Sequence, residues 1–436
     1  MMASKKPLSE VTTFISRGIS PKYDENGYVV INQRCIREQR VDFSRIRFSD
    51  SEKTSVKPEK FVCQWDGLVN STGVGTLGRV AQILKPVNST IVDSHVTIVR
   101  PDLEQLDGRY FGYALFDAEK YIETLGEGAT GQTELARGRL SEVDIRVPSL
   151  STQRKIAAIL SAYDDLIENN LQRIKILEEM AQNLYREWFV KFRFPGHQHA
   201  RFTDSPLGRI PEGWEVKALG SLIAEHIGGG WGKDVADERH TVPAWVIRGT
   251  DIPDARFCNC SKVPFRYHTT SNLKSRCLMP GDIIFEVSGG SKDQPLGRSL
   301  LISSELFAAF NGDSVICASF CKRIRPDSQQ YASELLYLSF LDAYVSGEIE
   351  QYQVQSTGIS NFKWSDYLEK VNRCVPPADL QERFCDLCVP LFSEIATFGR
   401  KNTTLRRTRD LLLPKLISGE IDVLELDIAF PEEVEI

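Results

Sequence analysis

Apolar positions recur every seven residues in two stretches of the chain, at matching phase. In the C-terminal stretch one row runs Phe384, Leu391, Phe398, Leu405 and Leu412; a second runs Cys388, Ile395, Asn402, Arg409 and Leu416. A shift of 228 residues carries these onto Ile156, Tyr163, Asn170, Leu177 and Leu184, and onto Leu160, Ile167, Ile174, Ala181 and Trp188. A seven-residue seam sustained this long is the pattern of a coiled coil. The shift holds without a gap from Val147–Phe189 to Val375–Ile417, and places Gln153 on Gln381. It predicts two long helices, 150–194 and 378–424, with Ser151 and Asp379 as cap candidates. At 1.5 Å per residue each would be roughly 60 Å long. The polar members Asn170, Asn402 and Arg409 should weaken the seam and fix its register. Pro414 should end or kink the second helix, because it lacks an N–H. Short connections favour antiparallel pairing.

The regions before the two helices also match. Val30–Ile36 falls on Val246–Ile252, and Asp66 and Asn70 on Asp282 and Glu286, at a shift of 216. Leu77-Gly78-Arg79 falls on Leu296-Gly297-Arg298 at 219, Arg100-Pro101-Asp102 on Arg325-Pro326-Asp327 at 225, and Thr130-Gly131 on Thr357-Gly358 at 227. The offset climbs steadily toward 228, as insertions in the second copy require. Short β-branched runs such as VTIVRP, DIIFEVS and SVICASF read as strands. The expected fold is mixed α/β (α+β): two similar globular copies, 1–149 and 195–377, separated by two long antiparallel coiled-coil helices with pseudo-two-fold symmetry. A linker is expected at 195–215 and an acidic tail at 425–436.

Composition narrows the class. The 436 residues are 42% apolar and 26% charged, as in ordinary globular proteins, and hold no apolar run long enough for a bilayer. The N-terminal residues lack a signal peptide's apolar core, so a cytoplasmic location and ten reduced cysteines are expected. Cys258-x-Cys260 and Cys385-x-x-Cys388 each lack a second ligand pair, and read as structural thiols. A net charge of −6 argues against wholesale nucleic-acid binding but leaves room for local basic surfaces. Arg34, Arg37, Arg40, Arg45 and Arg47 crowd one such stretch.

Catalytic signatures are missing. The sequence has no phosphate-loop motif, no His-Glu-x-x-His and no Asn/Asp-Pro-Pro-aromatic motif. Asp282 and Glu286 begin like a nuclease carboxylate cluster, but Ser288 stands where the lysine belongs and Asn70 replaces Glu286 in the first copy.

Several segments together resemble the specificity subunits of type I restriction-modification systems. They are Pro148 to Ile156, Leu184 to Gly196, Ile210 to Glu215, Asn70 to Arg79 and Leu412 to Ile421. The second copy departs from the pattern, with EVSGGSKDQPLGR in place of the NSTG-type loop. The resemblance implies a non-catalytic subunit whose globular copies each read half of a bipartite double-stranded DNA site. Its helices would set the gap and dock two methyltransferase subunits, with restriction subunits completing the complex. S-adenosylmethionine, ATP and Mg are then expected on those partners, with no cofactor or metal on this chain and no membrane. On this reading DNA contacts are expected from Arg34, Arg37, Asn70, Ser71, Thr72, Arg79, Gln132 and Thr133 in the first copy. In the second they are expected from Arg248, Thr250, Asp251, Ser288, Lys292, Arg298, Ser360, Asn361 and Lys363. The alternatives are a stand-alone restriction or methyltransferase enzyme with fused recognition domains, which needs a cofactor motif, and a protein-binding adaptor.

Overall fold

The first heptad stretch folds as one helix, Leu150–Tyr185, that widens into a final π turn at Arg186–Val190. The second forms a single helix, Ala378–Ser418. The computed structural model describes residues 4–128, 133–289, 294–355 and 359–428. Both helices are shorter than the expected 150–194 and 378–424. The first is opened by Ser149, whose hydroxyl accepts from Thr152 N at 3.2 Å, rather than by Ser151. The second runs through Pro414 instead of stopping. Only one turn follows the proline, and burial of Leu416 and Ile417 holds that turn in place.

By compactness the chain divides into one unit of residues 1–166 with 405–436 and another of 167–404. Each unit therefore contains one globular copy and parts of both long helices.

In the first unit a four-stranded antiparallel sheet has the order Thr12–Arg17, Val96–Pro101, Gly67–Asn70, Val80–Gln82. A second sheet sets Thr90–Val92 parallel to Tyr28–Ile31, which continues antiparallel to Arg47–Ser49. Ser4–Pro7 pairs with Asp144–Val147, and the helix Gly108–Glu123 packs on the first sheet. Here the helix pair is antiparallel: Ile156 and Leu160 share a core with Leu413, Leu416 and Ile417, and Arg409 Nη1 donates to Asp164 Oδ1 at 2.5 Å.

The second unit repeats the plan. Its four-stranded sheet runs Ile223–Gly228, Cys321–Pro326, Ile283–Glu286, Ser299–Leu301. Val242–Ile247 lies parallel to Val315–Cys317, and Glu215–Ala218 pairs with Asn372–Val375. Even the register slip recurs: Thr12 and Phe14 oppose Pro101 and Arg100, as Ile223 and Glu225 oppose Pro326 and Arg325. Helix pairing is antiparallel here too. The Trp188 and Phe384 rings lie 5.8 Å apart at one end, and Asn170 Nδ2 donates to Asn402 Oδ1 at 2.8 Å at the other.

Of the predicted seam, Ile156, Leu160, Ile167, Ile174, Phe384 and Ile395 are buried, and Tyr163, Leu177, Leu184, Leu391, Phe398, Leu405 and Leu412 are half-buried. The buried Asn170–Asn402 amide pair sits among apolar neighbours, and Asn402 also donates to Ile167 O at 3.3 Å. Replacing Asn402 alone with leucine should cost about 1–3 kcal/mol, because Asn170 loses its partner in a dry seam. Replacing both with leucine should recover that loss while loosening the register. Urea denaturation of the two variants separates the outcomes.

The expected linker 195–215 is a folded element. Phe202–Ser205 and Gly208–Pro211 form a hairpin, turned at Gly208 with φ +91°. Trp214 closes it against Phe189, Phe192 and Phe194, at 5.9, 5.4 and 5.5 Å between ring centres. Its Gly and Pro residues mark a tight turn in packed structure.

Two arginines at matching positions, Arg40 and Arg256, tie each copy to a carboxylate of a long helix. Arg40 lies 3.8 Å from Asp164, which also accepts from the Tyr113 hydroxyl at 2.6 Å, and Arg256 lies 2.5 Å from Glu178. Beside Arg256, the second helix comes so close that a Cβ on Gly399 would sit 2.0 Å from Phe257 O. Only glycine fits there. Gly399→Ala should therefore destabilise the second unit, measurable as a lower urea midpoint.

Candidate nucleic-acid interface

In each copy three turns, distant in sequence, meet at one edge of the sheets. In the first copy the turn after the strand Tyr28–Ile31 meets the Gly-rich loop, because Asn70 Nδ2 donates to Gln33 O at 3.1 Å. The loop meets the third turn through Leu135 N, which donates to Ser71 O at 2.8 Å, and through bridges Thr72–Glu134 and Glu127–Glu134. In the second copy the equivalent contacts recur. Ser288 opposes Asn361 and Asn361 opposes Val354 in a short three-stranded ribbon. Gly249, the counterpart of Gln33, lies so near Glu286 that a Cβ there would be 2.3 Å from Oε1.

The side chains on the two faces differ. In the first copy Arg34, Arg37 and Arg45 are exposed and Arg79 is half-buried. Burial, then the charges of Arg45 and Arg79, pull the Arg37 guanidinium below its usual range, so three cations crowd one patch. Arg37 and Arg40 flank the turn of a two-residue hairpin, with Glu38 and Gln39 at φ +49° and +63°. Left-handed backbone at two non-glycine residues is strained, and the hairpin stands on contacts with the helix pair such as Arg40 to Asp164. Thr72 shares a 2.7 Å hydrogen bond with His95 Nδ1, and Thr133 is half-buried beside it in the third turn. Gln33 Oε1 and Asn70 Oδ1 are buried acceptors without partners.

The second face has its arginines neutralised. Arg248 makes a two-pronged contact with Asp251, at 2.8 and 2.7 Å, and Arg298 does the same with Glu286, at 2.8 and 2.6 Å. Burial lowers the Arg298 guanidinium, but Glu286 outweighs it and holds the charge in place. Thr250, Asn361 and Lys363 are exposed; Ser288 and Ser360 are half-buried, with the Ser288 hydroxyl donating to Asn361 Oδ1 at 2.7 Å.

Five expected contact residues thus serve the fold instead. Asn70 and Ser71 are fully buried, and the Ser71 hydroxyl lies 2.5 Å from that of Thr97. Arg248, Asp251 and Arg298 are spent on ion pairs. The polar Asn-Ser and Asp/Arg signature is the same for a loop that touches DNA and one that ties itself together. Gln132 and Lys292 lie outside the described residues. His95 and Gln33 were missed; neither has a matching polar residue in the other copy to draw notice.

Asp282 and Glu286, which begin like a nuclease cluster, point to different arginines. Asp282 takes Arg325 Nε and Nη2, both at 2.8 Å, just as Asp66 takes Arg100 in the first copy at the same distances. Burial pushes the thiols of Cys260, Cys385 and Cys388 up to about 12, and among the described residues no three His, Cys, Asp or Glu side chains come together as a metal site. Among the described residues no helix is long and apolar enough to cross a membrane.

The type I restriction modification DNA specificity domain matches residues 5–179. The type I restriction enzyme MjaIX specificity subunit of Methanocaldococcus jannaschii is 30% identical over 321 residues, 72% of this chain and 69% of that protein. The chain belongs to the type I restriction-modification specificity family. The HindI specificity subunit of Haemophilus influenzae is 21% identical over 471 residues, with 93% of this chain and 98% of that protein covered. A crystal structure of the type I restriction-modification S subunit from M. genitalium shares the fold, with TM-score 0.52, 14% identity, and coverage of 95% and 96%. As a specificity subunit, the chain recognises DNA on behalf of a type I complex and is not its catalytic part.

Proposed function

We propose that each globular copy reads one half of a bipartite DNA site through its three-turn face. The long helices hold the copies apart as an antiparallel coiled coil with pseudo-two-fold symmetry, set the gap between half-sites and dock two methyltransferase subunits. Restriction subunits complete the assembly. S-adenosylmethionine, ATP and Mg belong to those partners; adenine methylation there requires the base to leave the stack. The observation that carries this reading is one face built twice in one register with unlike side chains, which two unlike half-sites require. In the first copy Arg34, Arg37 and Arg79 supply the positive charge.

The test is binding of the chain, assembled with methyltransferase subunits, to duplexes carrying the host's methylated bipartite sequence or a scrambled one. Preference of the complex for the bipartite duplex is expected; equal binding to both overturns the reading. Arg37→Gln should cost about 1–3 kcal/mol if it reads a base edge. As a phosphate contact it should instead lower the salt slope by about one with little change in sequence preference.

A further inference from the structure

In the first copy a side chain from outside the three turns grips the third of them. Arg17 ends the strand Thr12–Arg17, opposite Thr97. Its Nη1 pairs with the Glu134 carboxylate at 2.5 Å, and its Nη2 donates to Leu135 O at 2.8 Å. Glu134 bridges to both Thr72 and Glu127, and Leu135 N donates to Ser71 O. The guanidinium therefore holds the junction where the third turn meets the Gly-rich loop.

The arginine stands on a fixed base. Gly18 N donates to Val96 O at 2.9 Å, and the strands come so close there that a Cβ on Gly18 would sit 2.1 Å from Val92 O. Lys60 holds the same stretch from its ammonium, which donates to Arg17 O and, at 2.6 Å, to Ser16 Oγ. Leu135 is 1% exposed, so its carbonyl takes a charged donor away from water, and this is the stronger half of the grip. The Glu134 half lies at the surface and is worth little alone. A planar fork reaches two acceptors at once, which a lysine ammonium does not.

The second copy ties its third turn without such a side chain. Gly228 stands at the position of Arg17, opposite Lys322. Strand pairing does the work there, Ser288 with Asn361 and Asn361 with Val354.

We propose that Arg17 is a positioning residue for the first half-site. Its guanidinium fixes the third turn against the Gly-rich loop and so sets which bases the first copy accepts, without itself touching DNA. This rests on the DNA-reading function proposed above.

The test uses the full chain assembled with methyltransferase subunits, bound to duplexes randomised in both half-sites, with salt titrations on the preferred duplex. Arg17→Lys keeps the charge and loses the fork. It should cut sequence discrimination about tenfold at one half-site, and leave the other half-site and the salt slope unchanged. Hydrogen exchange should rise in peptides around 133–140. Glu134→Gln removes the exposed half of the grip and should move the same half-site by a smaller factor; if Arg17→Lys fails to fold, this variant decides. A merely structural arginine lowers stability with both preferences intact, and a phosphate contact survives as lysine. Unchanged preference at both half-sites in the folded variant therefore overturns the positioning role and leaves the DNA-reading function standing. An unaltered complex that never discriminates between sequences removes both.

Discussion

Gln153→Leu is expected to lower the stability of the first unit by about 3 kcal/mol or more, and Gln381→Leu to do the same to the second. Each glutamine is buried at the start of a long helix and serves three backbone groups. The Gln153 amide donates to Gln105 O at 3.0 Å and Pro148 O at 2.9 Å, and accepts from Asp107 N at 2.8 Å. Gln381 donates to Gln330 O and Pro376 O, both at 3.0 Å, and accepts from Ala332 N at 2.9 Å. Asp107 and Ala332 are the residues from which the helices Gly108–Glu123 and Ser333–Ser346 start. The glutamine thus bolts the globular copy's helix to the long one. Leucine fills the space but leaves one donor and two acceptors dry, each costing about 1–3 kcal/mol, against a modest apolar gain. Hydrogen exchange read by mass spectrometry is the suitable measurement, because it resolves the units. Gln153→Leu should raise exchange in peptides around 105–115 and 148–160, and leave those around 330–340 unchanged. Gln381→Leu should do the reverse. Little effect from either would mean that the copies are held to the helices by apolar contacts alone.

The Gln153–Gln381 match shows what a sequence can and cannot disclose. The repeat was legible because two copies under the same geometric constraint keep the same residue at the same offset. What the glutamine does was not, since its partners lie up to 51 residues away and are backbone atoms, which any sequence supplies. The helical seam was legible for a simpler reason: burial along one face of a helix imposes a period. Turn residues were less informative. Gly208 and Gly213 look alike in a loose linker and in the hairpin that Trp214 closes. At the interface, the three turns were found by matching the copies, and their convergence is real geometry. Which side chains face outward was not encoded in that match, so Asn70 and Ser71 were expected at the surface and lie inside.

Asp282→Ala should be the most damaging single change in the second copy, costing about 4–5 kcal/mol against about 3 for Asp66→Ala in the first. Both carboxylates are buried, and each meets an arginine through two hydrogen bonds and a backbone N–H: Cys63 N at 2.7 Å for Asp66 and Met279 N at 2.9 Å for Asp282. Their loss strands Arg100 or Arg325, whose side chains still reach solvent. The difference is Arg323. It occupies the position of Ile98, is 3% exposed, and lies 4.0 Å from Asp282. Its other carboxylate, Glu225, comes within 2.6 Å at a poor hydrogen-bonding angle, and its Nε has no acceptor. Removing Asp282 leaves this buried cation with half its compensation. Unfolding in urea, with exchange measured in peptides 279–286 and 321–326, should show the larger loss. Arg323→Ile, which copies the first domain's solution, should be close to neutral alone and should return about 1–2 kcal/mol to Asp282→Ala, because an apolar residue of suitable shape often replaces a poorly satisfied buried ion without cost. If the two aspartate variants lose the same stability, or Arg323→Ile makes Asp282→Ala worse, then Arg323 draws its support from Glu225 and not from Asp282.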